Sequence, residues 1–417
     1  MQNKDERKPV KTEGFMKSVL VLMISQVFIK LLGFVYRVYL TNREGFGDEG
    51  NAIYSGGYQI YAILLTISSI GVPNAISKLV SERIAVRDKR GADRILKIAL
   101  MTFGLIGLSG TLILFFGAKY ISNVILQIPE SEMTLVALSP AIFFVSIASV
   151  MRGYFNGRDR ISATAKSQTL EQIFKTVLTI VVVELVVVIY GIDVTIMAAG
   201  ANLATTLSVL LSFMYLGWYY KLYKRKPKPG AVISERRKQE RPINIVKKIL
   251  FVSFPIALSA IMSTLNKNVD SMTVKRFLVK FMTEREATIQ YGILSGKVDT
   301  LITLPLSFNV AFSTALVPTI SAAIARKDYR SASKRISFSM LLTMIIGLPC
   351  TLGMAVFAQP ILNLIFPNAS SGAMLLQISA FTVVFSVLAQ TANGALQGLR
   401  QNNGASSFWF YTVYVQK

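Results

Sequence analysis

The sequence of 417 residues contains no histidine. That removes the side chain used most often as a general base near neutral pH and the commonest zinc ligand, so no metal or other cofactor is expected. There is one cysteine, Cys350, which lies in an apolar run and excludes a disulfide framework. Charge is also scarce, at 16% of residues, against roughly a quarter in ordinary soluble chains. Acidic residues are the rarer sign, with 22 Asp and Glu against 45 Lys and Arg. No paired carboxylates or metal-ligand clusters stand where a membrane glycosyl or phosphoryl transferase would need them, and the chain is not expected to be an enzyme.

Apolar sequence is what the chain has in excess: 52% of residues are hydrophobic and the mean hydropathy is +0.50. Runs of roughly 18 or more apolar residues are long enough to cross a bilayer core of about 30 Å. No water is present at that depth to satisfy backbone groups, so the runs must be helices. The expected spans are 15–40, 53–80, 95–117, 135–151, 164–190, 192–220, 249–274, 290–324, 336–357 and 373–397. The first carries Lys30 and Arg37 and no small-residue cleavage site follows it, so it reads as an uncleaved span. Short apolar pieces at 120–126 and 361–366 cannot cross and are expected at an interface.

The net charge of +23 lies in the connections between the spans. Basic residues crowd the amino-terminal tail and every second connection: Lys78 to Lys97, Arg152 to Lys166, the stretch 221–248, and Arg326 to Arg335. The intervening connections hold few, with 275–289 the most basic of them. Such alternation fixes a membrane protein's orientation and places the amino terminus in the cytoplasm of a cell with an inner membrane. It makes nucleic acid an unneeded partner, with membrane lipids the natural counter-surface. The proline-rich, charged stretch 221–248 reads as a tether. It divides the chain into a first lobe, 1–220, and a second, 249–417.

The two lobes resemble each other at an offset of roughly 240 residues. Val72-Pro73-Asn74-Ala75-Ile76-Ser77 answers Val317-Pro318-Thr319-Ile320-Ser321, and Asp88 to Arg94 answers Asp328 to Lys334. Ile121, Asn123 and Ile125 match Ile361, Asn363 and Ile365; Gly153 and Gly157 match Gly394 and Gly398. An even number of spans per repeat makes the repeats parallel, with a path between them suited to alternating access. The expected fold is an all-α membrane bundle of two six-helix lobes. The second lobe is incomplete, because sequence matching spans five and six is not found before Lys417, which suggests a truncated or frameshifted carboxyl end.

Ionisable side chains at membrane depth are costly and mark a cavity by default. Lys30, Gly33 and Arg37 share one face of the first span. Glu171 and Lys175, four apart in span five, are placed to pair. Asn266, Lys267 and Asp270 continue a polar stripe in span seven, whereas Lys297, Asp299 and Glu184 are expected near an interface. Pro73, Pro305 and Pro318 are candidates for helix bends.

Several segments in order resemble one family. They are Lys30-Leu31-Leu32-Gly33-Phe34-Val35-Tyr36-Arg37, Gly71-Val72-Pro73-Asn74-Ala75-Ile76-Ser77, Arg152-Gly153-Tyr154-Phe155-Asn156-Gly157, Tyr291-Gly292 through Leu304-Pro305 to Val317-Pro318, and Asn393-Gly394-Ala395-Leu396-Gln397-Gly398. Together they are similar to the stage V sporulation protein B branch of the multidrug/oligosaccharidyl-lipid/polysaccharide (MOP) exporter superfamily, related to MurJ-type lipid II flippases. The resemblance implies a two-lobed, V-shaped carrier of undecaprenyl-linked saccharides. It also implies cavity cations that meet the substrate's pyrophosphate, a role falling on Lys30 and more loosely on Arg37. Coupling to H+ or Na+ is open. The alternative within the same superfamily is a cation-coupled multidrug exporter, in which Glu171 and Asp270 would dominate. A non-transporting scaffold is a further alternative.

Overall fold

A computed structural model describes residues 12–66, 71–86, 88–225, 240–325 and 328–400, with side chains for most of these. Every expected span lies in helix: α1 (Thr12–Asn42), α2 (Gly47–Thr66), α3 (Val72–Ala85), α4 (Lys89–Tyr120), α5 (Glu132–Asn156), α6 (Ile161–Tyr190), α7 (Val194–Arg225), α8 (Pro242–Leu278), α9 (Glu284–Gly292), α10 (Asp299–Ala325), α11 (Tyr329–Val356), α12 (Ala358–Ile365) and α13 (Ala373–Arg400). No strand occurs among the described residues. Among them, 6 helical stretches are long and apolar enough to cross a membrane by length and composition. The chain is a multi-pass membrane protein.

In the second expected span, 53–80, the described residues are those of α2 as far as Thr66 and those from Gly71 into α3. Pro73 sits in the first turn of α3, where its missing N–H costs nothing. Pro305 and Pro318 both lie inside α10, and neither ends it. That pass also contains a π-helical segment, Ile293–Val298, between α9 and α10.

The repeat is visible in the caps and the packing. Asp88 caps α4 by accepting from the Gly91 N–H at 2.7 Å, and Asp328 caps α11 by accepting from the Ser331 N–H at 3.0 Å. Each capped helix leads into a short helical segment, the π-helical Ile121–Leu126 after α4 and α12 after α11. Helices α3, α4 and α5 pack on one another as α10, α11 and α13 do. The matched glycines carry both close approaches. A Cβ on Gly153 would lie 2.7 Å from the Pro73 carbonyl oxygen, and one on Gly394 would lie 2.7 Å from that of Ser313. Only a hydrogen fits there.

Helix α1 packs on α6 and also reaches α10, so it lies between the two bundles. Helix α8 packs along α2, α3 and α4, with Ile245 and Ile249 in the apolar core of α3, α4 and α5. At its start Glu240 holds Arg83 at 2.5 Å and Lys248 at 2.9 Å, and Arg83 also reaches Asp88 at 3.3 Å. At its far end the Lys275 ammonium donates to the Gln127 carbonyl and Arg276 donates to that of Val124 at 2.8 Å.

Candidate functional site

Arg37 of α1, Arg152 of α5 and Lys175 of α6 each meet side chains of neighbouring helices in the first bundle. Arg37 on α1 donates to Ser55 Oγ at 3.3 Å and to Asn51 Oδ1 at 3.5 Å, both on α2. Its guanidinium lies 4.4 Å from the ring centroid of Tyr54. Lys175 on α6 is buried, its ammonium 4.3 Å from the Tyr58 ring and 5.1 Å from that of Tyr36. The rings form one set, with Tyr54 and Tyr58 stacked at 5.8 Å and Tyr58 and Tyr61 tilted at 5.6 Å. Aromatic faces are the apolar partner a desolvated cation tolerates best; each contact contributes about 2 kcal/mol away from water.

Glu171 and Lys175 do not pair with each other, contrary to what their spacing suggests. Glu171 is taken by Arg152, whose NH2 lies 2.5 Å from Oε2. Arg152 is buried and also donates to Ser167 Oγ at 3.1 Å and Ser212 Oγ at 2.9 Å. It belongs to α5, not to the basic connection after it, so counting it as a topogenic charge was an error. The clue was present in the apolar Tyr154-Phe155 that continues the run beyond it.

Lys30 lies on the same face of α1 as Gln26, Gly33 and Arg37. Gln26 donates to Gln168 on α6 at 3.1 Å, and Gly33 lies against Gln172 of the same helix. Lys30 is exposed at the edge of this contact and has no ion pair among the described residues. The side chains of Asn266, Lys267 and Asp270 lie outside the described residues, as does that of Pro318. Asp299, at the start of α10, lies within electrostatic reach of Arg37. Basic side chains outnumber acidic ones, and the one acid among them on α6 is already neutralised.

Two residues expected near an interface take specific partners. Glu184 accepts from Arg43 at 2.9 Å and from the Tyr39 hydroxyl, tying the ends of α1 and α6. Lys297 is fully buried and meets Asp48 of α2 at 2.8 Å.

The arrangement brings the Arg37 and Lys175 cations against tyrosine rings between α1, α2 and α6. Comparison with known proteins gives the family. The family model described as polysaccharide biosynthesis protein matches residues 15–324, and one described as MatE matches 295–404. Stage V sporulation protein B of Bacillus subtilis (strain 168) is 29% identical over 374 residues, which is 89% of this chain and 71% of that protein. The lipid II flippase MurJ of the same organism is 24% identical over 409 residues, 94% of this chain and 74% of that one. The fold is that of an inward-facing MATE-family multidrug resistance transporter of the MOP superfamily, with a TM-score of 0.68 at 14% identity, covering 91% of this chain and 84% of that one. The chain therefore belongs to the polysaccharide biosynthesis protein family and has the helical fold of MOP-superfamily transporters.

Proposed function

We propose that this protein is a flippase that moves a lipid-linked saccharide across the cytoplasmic membrane by alternating access. The end bearing the linker faces the cytoplasm in this reading, as the basic connections require. The observation that carries it is the cluster of Arg37 and Lys175 with Tyr36, Tyr54 and Tyr58 inside the first bundle. A diphosphate stripped of water needs fixed cations, and Arg37 offers a guanidinium fork suited to phosphate oxygens. Lys30, exposed on the same face of α1, is placed to meet the headgroup first. The tyrosines supply flat apolar faces for sugar rings, and an undecaprenyl tail would stay in lipid between the bundles.

The name of one relative, the lipid II flippase MurJ, supports the substrate class. Each elementary charge that crosses with the cargo is worth about 2.3 kcal/mol per 100 mV, so the membrane potential or a coupled H+ or Na+ is large enough to drive reorientation.

The multidrug-exporter reading is supported by the fold and would need a free carboxylate for organic cations; of its two candidates, Glu171 is bound by Arg152 at 2.5 Å and the side chain of Asp270 lies outside the described residues. The deciding experiment follows lipid-linked precursor between the leaflets after depletion, with rescue by wild type, Arg37→Gln or Lys30→Ala. The expected result is build-up on the cytoplasmic leaflet, rescued by wild type and poorly by either variant. Normal precursor distribution together with sensitivity to cationic dyes would eliminate the flippase.

A further inference from the structure

The end of the molecule away from the linker carries a second cluster that the substrate site does not use. Lys297 lies in the π-helical segment before α10 and is fully buried. Its ammonium reaches Asp48 Oδ1 at 2.8 Å and Oδ2 at 2.9 Å. It also donates to the carbonyl oxygens of Ala369 and Ser371, each at 2.7 Å, and to Ser371 Oγ at 3.1 Å. The Ser371 hydroxyl in turn donates to Asp48 Oδ2 at 2.8 Å. Asp48 belongs to the first bundle; every other member belongs to the second.

The surroundings leave no slack. A Cβ on Gly292 would overlap the Asp48 carbonyl, and one on Gly296 would meet the side chain of Asn51. Yet both charged partners keep a substitute if the bundles part. Lys297 retains its acceptors on Ala369 and Ser371. Asp48 stands in the first turn of α2, where the helix dipole favours a carboxylate. A purely structural buried pair has no such fallback and strands a charge when it opens. Here neither charge would be stranded if the contact opened. π-Helical turns such as the one that holds Lys297 recur at functional positions in helices.

We propose that Asp48 and Lys297 form a reversible latch that closes the two bundles at the end opposite the linker, and that its release is the step opening that face. The proposal rests on the alternating-access part of the reading above but not on the identity of the cargo, and its test does not use transport.

The test measures how fast a soluble maleimide labels a cysteine beneath the latch. Ala52→Cys in a Cys350→Ala background is such a probe, because Ala52 is buried and its backbone N would lie 3.0 Å from a Cβ on Gly292. In the purified full chain, Asp48→Asn and Lys297→Met are each expected to speed labelling by about tenfold, as the closed population falls. Glu49→Gln removes only the rim contact with the exposed Arg285, at 3.2 Å, and is expected to leave the rate within about twofold. Should Lys297→Met fail to elute as a monodisperse species, Asp48→Asn decides alone. Unchanged labelling in folded Asp48→Asn, or equal acceleration by Glu49→Gln, overturns the latch.

Discussion

Arg152 offers the sharpest test of how the first bundle is held together. Arg152→Met keeps most of the apolar stem and deletes the guanidinium. The structure sets the magnitude: one charge-assisted bond to Glu171 at 2.5 Å and hydroxyl bonds to Ser167 and Ser212 are lost. Charge-assisted bonds contribute about 1.5–3 kcal/mol. The two serines lose less, because their hydroxyls already lie 2.9 Å apart and satisfy each other. Breaking a buried pair costs about 3–5 kcal/mol when the survivor is stranded. The Glu171 side chain is 24% exposed and is not left fully buried, so the lower end applies. The expected loss is about 3 kcal/mol. Glu171→Gln alone should cost about 1.5 kcal/mol, since the amide oxygen still accepts from Arg152. Combined with Arg152→Met it should add little, leaving a coupling of at least about 1 kcal/mol in a double-mutant cycle. Unfolding of the purified protein in mixed micelles reads these differences. Strict additivity of the two substitutions would refute the pairing.

Two further outcomes follow from the packing and the surface charges. Gly153→Ala places a methyl carbon 2.7 Å from the Pro73 carbonyl oxygen and should destabilise by about 2 kcal/mol, whereas Gly104→Ala meets nothing within 4 Å and should be neutral or slightly stabilising; thermal unfolding compares them. The carboxyl of Glu240 is held below its ordinary range by its bond from Lys248, with the Arg83 charge adding to the effect. A depressed carboxylate stabilises the fold above the unfolded-state pKa and loses that contribution as pH falls through the folded value. The stability gap between wild type and Glu240→Gln, about 0.5 kcal/mol at neutral pH for so exposed a group, should therefore close on acidification.

The helices were legible because hydrocarbon leaves a backbone no alternative, whatever the side chains are. The repeat was legible because its markers are local: Asp88 and Asp328 cap the helices that follow them, and Gly153 and Gly394 stand where backbones touch. Partners across helices were not. Spacing on α6 placed Glu171 and Lys175 within reach of one another, but residues from other helices took both, Arg152 from α5 and the tyrosines of α1 and α2. Lys297 looked interfacial because its neighbours in sequence are ordinary. The carbonyls that bury it belong to Ala369 and Ser371, 72 and 74 residues away. Arg152 was misread for a related reason: a basic residue near the end of an apolar run is a topogenic charge or a buried tie according to tertiary contacts alone.

The cation that would meet a phosphate and the pair that closes the opposite end are separated by one residue of α2. Asn51 Oδ1 accepts from Arg37 at 3.5 Å and from the Thr41 hydroxyl at 3.4 Å, while its amide donates to Thr41 at 2.9 Å. Gly296, the neighbour of Lys297, packs on the same Asn51 side chain. Asp48 lies one turn earlier on that helix. A ligand oxygen that drew Arg37 from Asn51 and Ser55 would leave the Asn51 amide, wedged against the latch segment, held by Thr41 alone, with no need for a long relay. Energetic coupling of this kind requires an element with two arrangements that both sites bias. The start of α2 meets the structural half of that requirement, because it contributes Asp48 to one cluster and Asn51 with Ser55 to the other.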